Sequence, residues 1–314
     1  MDVDPLSEVL ALVKPRFAVA AALDAGGTWS IQFPGENEIR VQAVVAGTCL
    51  LHADGVDHAV HLSPGDCFIS IGQPFRIANA PDAPPTPAYP VFSAKRDGVA
   101  VYGGGGDFLG IGCLFSLEKE QAAVLQELLP PIMHISHGEA VQTALRASLD
   151  QMVEEARRPQ PGSKLVMQHL SQMMLIQALR LHMAGTPMGA KGWLSALKDP
   201  RMSQALAAMH HSPQRQWTLQ SLAERAAMSR TSFAVRFKEL IGVAPMEYLT
   251  RWRMLRAAER LEGGREPVSD VARAMGYTSE SAFGVAFKRT MGRPPRRRAR
   301  DRPIQSPSSR LTPP

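Results

Sequence analysis

The chain has 314 residues, 45% of them hydrophobic and 20% charged, a composition that excludes a disordered or membrane protein and a length that predicts two domains. The formal charge of +6 averages two unlike parts: residues 1–212 carry 15 basic and 20 acidic side chains, residues 213–314 carry 20 basic and 9 acidic. A basic C-terminal third on an acidic body points to a nucleic-acid or membrane-binding module joined to something else.

The N-terminus, with Asp2 and Asp4, lacks the basic segment and apolar run of a secretory signal, so a cytoplasmic protein is expected. The most apolar stretch, Leu165 to Leu181, is broken by Gln168, His169, Gln172, Gln177 and Arg180, which argues against a membrane span. Cys49, Cys67 and Cys113 are too few and too widely spaced for a disulfide framework or a structural zinc site.

From Trp29 to about Gly112 the sequence reads as short strands. Val41 to His52 and Val56 to Leu62 flank the Ala53-Asp54-Gly55 turn, Ser63-Pro64-Gly65-Asp66 is a second turn, and Cys67 to Ile71 is a further strand. Pro81, Pro84, Pro85, Pro87 and Pro90 predict an extended loop with neither helix nor central strand. After Gly103 to Gly106 comes one more strand, Leu109 to Phe115. Strands at this spacing predict an antiparallel barrel or a double-sheet sandwich.

Beyond Leu117 the period becomes helical, with helices over Leu117 to Leu129, Glu139 to Arg158 and Ser163 to His182. The last is apolar on nearly every face, which predicts burial either in its own domain core or in a homodimer interface. Asp199-Pro200 starts another helix, running to about His211.

The C-terminal third contains an internal repeat. Leu222-Ala223 recurs as Val271-Ala272 at an offset of 49, while Ser229, Phe233, Phe237-Lys238, Gly242 and Pro245 recur as Ser279, Phe283, Phe287-Lys288, Gly292 and Pro295 at an offset of 50. Each copy reads as a helix, a short turn and a second helix. The small Ala223 and Ala272 let the helices cross closely, Ala227 and Gly276 end the first helix, and Ser229 and Ser279 are N-caps for the second. The i, i+4 phenylalanine pairs turn one face of each second helix inward. The opposite face shows Thr231, Ser232, Val235 and Lys238, edged by Arg230 and Arg236, in the first copy. In the second it shows Ser281, Val285 and Lys288, with Glu280, Gly284 and Arg289 alongside. Hydroxyls there can bond bases or phosphates, Val235 and Val285 can touch thymine methyls, and Glu280 can accept from cytosine; Lys238 and Lys288 suit phosphates. The alternative is two ordinary helical hairpins with solvated outer faces.

This pair resembles the DNA-binding domain of the AraC/XylS transcription regulators over roughly Pro200 to Pro295, with Pro245 to Leu261 as the joining helix. The resemblance implies two recognition helices in successive major grooves of double-stranded DNA, with base-reading sites at Thr231, Ala234 and Val235 and at Ser281, Gly284 and Val285. The second set is small or apolar, which implies backbone contact or shape reading more than direct readout. The basic cluster Arg296 to Arg300 is followed by a Pro- and Ser-rich tail expected to be disordered, and it could add phosphate contacts.

The first half resembles the cupin-type sensor domain of that family, carried by "DPLSEVLALVKPR" from Asp4, "VVAGTCLL" from Val44, "LSPGDCFIS" from Leu62 and "LLPPIMHI" from Leu128. The resulting fold expectation is α+β: a cupin-like antiparallel barrel with flanking helices over residues 1–185, a linker over 186–198, an all-α domain of two helix-turn-helix units over 199–298 and a disordered tail over 299–314. His52, His58 and His61 lack the His-x-His-then-Glu pattern of metal-dependent cupins, so no metal or other cofactor is expected. Cys49 and Cys67 are read as oxidant-sensing thiolates or as small buried hydrophobes. The expected partners are DNA, RNA polymerase, a small-molecule effector or oxidant, and a second copy of the chain, with no membrane. The competing reading is a metal-dependent cupin enzyme with a nucleic-acid tether, for which no carboxylate dyad, nucleophile elbow or phosphate loop is present.

Overall fold

The structure is a computed structural model that describes residues 4–54, 58–136, 138–187, 189–262, 264 and 266–295. The tail over 299–314 and the basic cluster at 296–300 lie outside these residues, as does Gly55 of the expected hairpin turn. The chain divides into two compact units, one of Val13–Asp199 and one combining the described parts of Met1–Leu12 and Pro200–Pro314.

The first helix, α1 (Pro5–Val13), buries Leu6, Val9, Leu12 and Val13. The strands follow as β1 (Arg16–Ala25), β2 (Ser30–Phe33), β3 (Glu38–Ala46), β4 (Cys49–Ala53), β5 (Val60–Leu62), β6 (Cys67–Ile71), β7 (Phe75–Ala78) and β8 (Thr86–Pro87). After α2 (Ala88–Ser93) come β9 (Val99–Tyr102) and β10 (Phe108–Ser116), then α3 (Lys119–Leu128) and β11 (Ile132–Ile135). They form two sheets, ordered β11-β6-β3-β10-β1-β9 and β5-β4-β7-β2-β8. Both are mixed, because β9 joins β1 and β8 joins β2 in parallel.

The expected closed barrel is therefore corrected to two separate sheets. The reason lies at Gly47, where the single strand expected from Val41 to His52 breaks into β3 in one sheet and β4 in the other. Gly47 has φ +73, and a Cβ there would sit 2.1 Å from the Asp107 carbonyl oxygen, so the chain turns between layers at a position only glycine fills. Between the layers Phe33 stacks on Phe75 at 4.7 Å, Phe68 meets Phe75 edge-on at 5.1 Å and Trp29 lies 4.9 Å from Phe108.

The expected loop over Pro81 to Pro90 is also corrected, since α2 occupies Ala88–Ser93. Pro90 is its third residue, and N–H groups in the first turn of a helix have no intrahelical acceptor, so proline removes nothing there.

Further helices are α4 (Glu139–Arg157), α5 (Ser163–Gly185) and α6 (Trp193–Lys198). Helix α5 packs on α4, β1, β6 and β11 and buries Leu170, Met174, Leu175 and Leu179 in its own unit, while Leu165 and Met173 face outward. Helix α6 falls within the expected linker and buries Trp193 and Leu194. Among the described residues no helix is long and apolar enough to cross a membrane.

The remaining helices are α7 (Pro200–His211), α8 (Leu219–Arg225), α9 (Arg230–Ile241), α10 (Pro245–Glu262), α11 (Val268–Ala274) and α12 (Glu280–Met291). The second half of α10 supplies Met254, Ala257, Ala258 and Leu261 to a core shared with Val271, Ala272, Phe283 and Phe287. Its first half brings Tyr248 to Phe237, 5.7 Å between centroids, and Trp252 to His210.

Replacing Gly47 with Ala imposes both a left-handed alanine and a backbone clash. The expected cost is roughly 2–3 kcal/mol of stability, measured by urea denaturation; an unchanged midpoint would contradict the account of the sheet break.

Candidate nucleic-acid interface

The two copies of the repeat fold alike, residue by residue. Ser229 caps α9 by accepting from the Ser232 backbone N–H at 3.2 Å, and Ser279 caps α12 by accepting from Ala282 at 3.1 Å. Both helices stop at a left-handed glycine, Gly242 at φ +88 and Gly292 at φ +72, whose N–H reaches the carbonyl of Lys238 or Lys288 at 2.9 Å. Ahead of each cap the chain turns through Ala227, φ +49, or Gly276, φ +81. The N–H of the next residue, Met228 or Tyr277, then returns to the carbonyl of Ala223 or Ala272 at 2.9 and 3.0 Å, closing the first helix.

Each phenylalanine pair has its rings 5.6 Å apart, and all four rings are fully buried. That burial leaves the opposite face to solvent. Val235 is 53% and Val285 67% exposed, at the same place in the two copies. Arg230, Thr231, Ser232 and Lys238 are exposed around Val235, and Glu280, Ser281, Lys288 and Arg289 around Val285; Ala234, Arg236 and Gly284 are half-buried at the flanks. Ser229 donates to the Ser232 hydroxyl at 2.9 Å, which leaves the Ser232 proton for another partner.

The basic side chains differ in their pairing. On α10, Arg251 pairs with Glu247 at 2.7 Å, Arg256 with Glu259 at 3.2 Å, and Arg260 with Glu266 through two hydrogen bonds. By contrast Arg230, Lys238, Lys288 and Arg289 form no ion pair or side-chain hydrogen bond with the described residues.

A polar tie that the sequence did not reveal joins the two repeats. Arg253 on α10 donates to the carbonyls of Pro213 at 2.6 Å and Arg215 at 2.7 Å, and Gln216 donates to the Gly276 carbonyl at 2.6 Å. The segment leading into α8 is thereby held against the turn that precedes α12. A Cβ on Gly276 would lie 2.5 Å from the Gln214 carbonyl oxygen, so glycine serves both the turn and this contact.

Beneath α9, His210 lies flat on Trp252, ring centroids 3.7 Å apart, and shares a 2.8 Å hydrogen bond with the Tyr248 hydroxyl. Burial, aided by the charge of Arg256, drives its pKa down to about 3.

In the first unit a cavity of about 470 Å³ opens between the sheets, within the size range of ligand pockets. The expected sensor thiols are buried. Burial and the nearby Asp66 raise Cys49 to about 12, and burial raises Cys67 further and Cys113 to about 12. Oxidant sensing needs an accessible, low-pKa thiolate, so these environments fit small buried hydrophobes. Among the described residues no three His, Cys, Asp or Glu side chains gather as a metal site, and His58 and His61 are exposed.

The cupin family model matches residues 4–184, and the helix-turn-helix domain model matches residues 222–301. An AraC-like transcription regulator of Streptomyces lividans is 41% identical over 297 residues, covering 93% of this chain and 96% of that protein. The chain belongs to the AraC-like transcription regulators. The regulator AlkR of Acinetobacter baylyi is 34% identical over 182 residues, 57% of this chain and 59% of that one. The solved DNA-binding domain of AdpA, in complex with a target DNA, is 35% identical, covering 32% of this chain and 90% of that one with a TM-score of 0.30. The chain is thus a DNA-binding transcription regulator with an N-terminal cupin domain.

His210 gives the C-terminal helices an acid limit. Its folded pKa lies below its unfolded value of about 6.5, so the unfolded chain binds the extra proton; stability is complete above pH 6.5 and is lost as pH falls toward 3. Relative to His210→Phe, which keeps an aromatic ring on Trp252 but cannot titrate, the native chain is expected to lose about 1.4 kcal/mol per pH unit below that point, measured by urea denaturation between pH 7.5 and 5. Parallel pH profiles would contradict a neutral buried imidazole.

Proposed function

We propose that this regulator acts in the cytoplasm as a homodimer, laying α9 and α12 in successive major grooves of one DNA face and passing the result to RNA polymerase. The carrying observation is the sorting of cations. Arginines on α10 are engaged by neighbouring carboxylates or backbone carbonyls, whereas Arg230, Lys238, Lys288 and Arg289, near two exposed valines, form no ion pair or side-chain hydrogen bond among the described residues. An exposed apolar side chain ringed by unpaired cations suits a groove, where the valine meets thymine methyls and the cations meet phosphates.

In the first unit of the repeat, Thr231, Ser232 and Val235 read bases, with Ala234 against the groove floor and Arg230, Arg236 and Lys238 at the backbone. In the second, Ser281, Gly284 and Val285 approach the bases, flanked by Glu280, Lys288 and Arg289. Gly284 supports close approach. A Cβ there would meet nothing within 4 Å inside the protein, so the fold does not require a residue that costs a helix interior about 1 kcal/mol relative to alanine.

The controlling signal on this reading is a small molecule in the N-terminal cavity, because the buried thiols favour that route over oxidation. The relatives' names as regulators and the absence of a metal constellation among the described residues support this assignment over a cupin enzyme.

Selection of bound DNA from a random pool tests the interface. Replacing Thr231 or Val235 is expected to change the preferred sequence, whereas Lys238→Ala is expected to weaken all sequences alike and to reduce the log–log salt slope by about 0.9. Unchanged preference in both face variants would overturn the assignment. Gly284→Ala is expected to move two quantities oppositely, raising stability by about 0.5–1 kcal/mol and lowering DNA affinity; a rise in both would show that nothing approaches that position.

A further inference from the structure

The cavity between the sheets has a chemistry of its own. Its walls are largely apolar, including Leu23, Phe33, Phe68 and Phe92. One stripe is polar: Glu38, Arg40 and Gln42 alternate along β3 and so share its cavity face. The neighbouring strand β10, where Gly112 pairs directly with Gln42, is cut away at Gly110 and Gly112, and a Cβ on Gly112 would sit 2.3 Å from the Gln42 side-chain oxygen. Glycine inside a strand weakens it and marks a close approach; here it leaves room for the Gln42 amide.

Glu38 and Arg40 are largely buried, with side chains 11% and 16% exposed, and pair through Arg40 Nε, while the guanidinium lies 5.3 Å from the Phe33 ring centroid. The remaining Arg40 donors and the Gln42 amide have no hydrogen-bond partner among the described residues. At the rim, Glu36 and Lys95 are both exposed and opposite in sign. Unmade donors therefore face an apolar space in which the fixed charges already cancel. A ligand anion would meet Glu38 beside the guanidinium, whereas a neutral acceptor would satisfy the donors without adding an uncompensated charge.

We propose that the cavity binds an uncharged, mainly apolar molecule whose single carbonyl-type oxygen accepts from Arg40 and Gln42. This deepens the reading of the N-terminal domain as an effector site and rests on it.

The test uses the full chain without DNA, with the neutral dye Nile red as reporter and undecan-2-one, undecane and undecanoate as competitors. Undecan-2-one is expected to displace the dye at concentrations about tenfold lower than either of the others, the value of one hydrogen bond to a charged donor. The double variant Glu38→Gln with Arg40→Met, which keeps the stripe uncharged, is expected to erase the ketone's advantage over undecane. Ala21→Phe, or Val19→Trp at the more exposed edge, is expected to weaken all three by filling the space. Tighter binding of undecanoate, or equal binding of ketone and alkane by the native chain, would overturn the proposal even if every variant failed to fold. Unaltered competition in a folded cavity-filling variant would overturn the location. The effector reading is scored separately, by whether undecan-2-one changes the affinity for a selected DNA. No change there, with the ketone preference intact, would remove the regulatory role and leave the ligand chemistry standing.

Discussion

Four buried phenylalanines set the geometry on which the interface depends. Phe233 with Phe237 and Phe283 with Phe287 hold one face of α9 and α12 against α10 and its neighbours, and burying each ring is worth roughly 1.5–3 kcal/mol. A helix so anchored cannot roll about its axis. The identities of the outward residues then follow from spacing alone, which is why Val235 and Val285 emerge at matching positions. Serine caps and left-handed glycines fix where each helix starts and ends, and the tie of Arg253 and Gln216 to the segments around them limits how far one repeat can turn against the other.

Charge acquires meaning only after pairing is known. The C-terminal third is strongly basic, yet the arginines of α10 are committed to intramolecular carboxylates and carbonyls. Exposed ion pairs of that kind add little stability, but they remove those side chains from competition for phosphate. Among the described residues, Arg230 and Lys238 on α9 and Lys288 and Arg289 on α12 carry no such commitment. In the acidic unit a paired Glu38 and Arg40 likewise leave a cavity that is polar in one stripe and nearly neutral as a whole.

The helical third was legible because its signals are local: serine before the helix, glycine after it, phenylalanines four apart, all written twice. The strand-rich half was less so. Strand β1 is half alanine, a residue with little strand preference, and lies before Trp29, where the strand pattern becomes legible. The break at Gly47 depends on a close approach to Asp107, sixty residues away in the chain, and Pro90, a helix breaker by pattern, stands in the first turn of α2 where proline is tolerated. Cys49 and Cys67 could be placed on strands by pattern, but their burial and raised pKa values come from the tertiary fold. The Gln216–Gly276 contact and the Arg40 stripe are likewise tertiary, although glycines inside the apolar run of β10 were a hint that something lies against that wall.

On the proposed reading, one chain reads two successive major grooves with α9 and α12. Hydroxyl-radical footprinting on a selected DNA site, repeated after inserting about 5 base pairs between the two contacted segments, tests it most directly. Two protected patches about one helical turn apart on one face of the duplex are expected, with the insertion abolishing tight binding. A single protected patch, or affinity indifferent to the insertion, would contradict it.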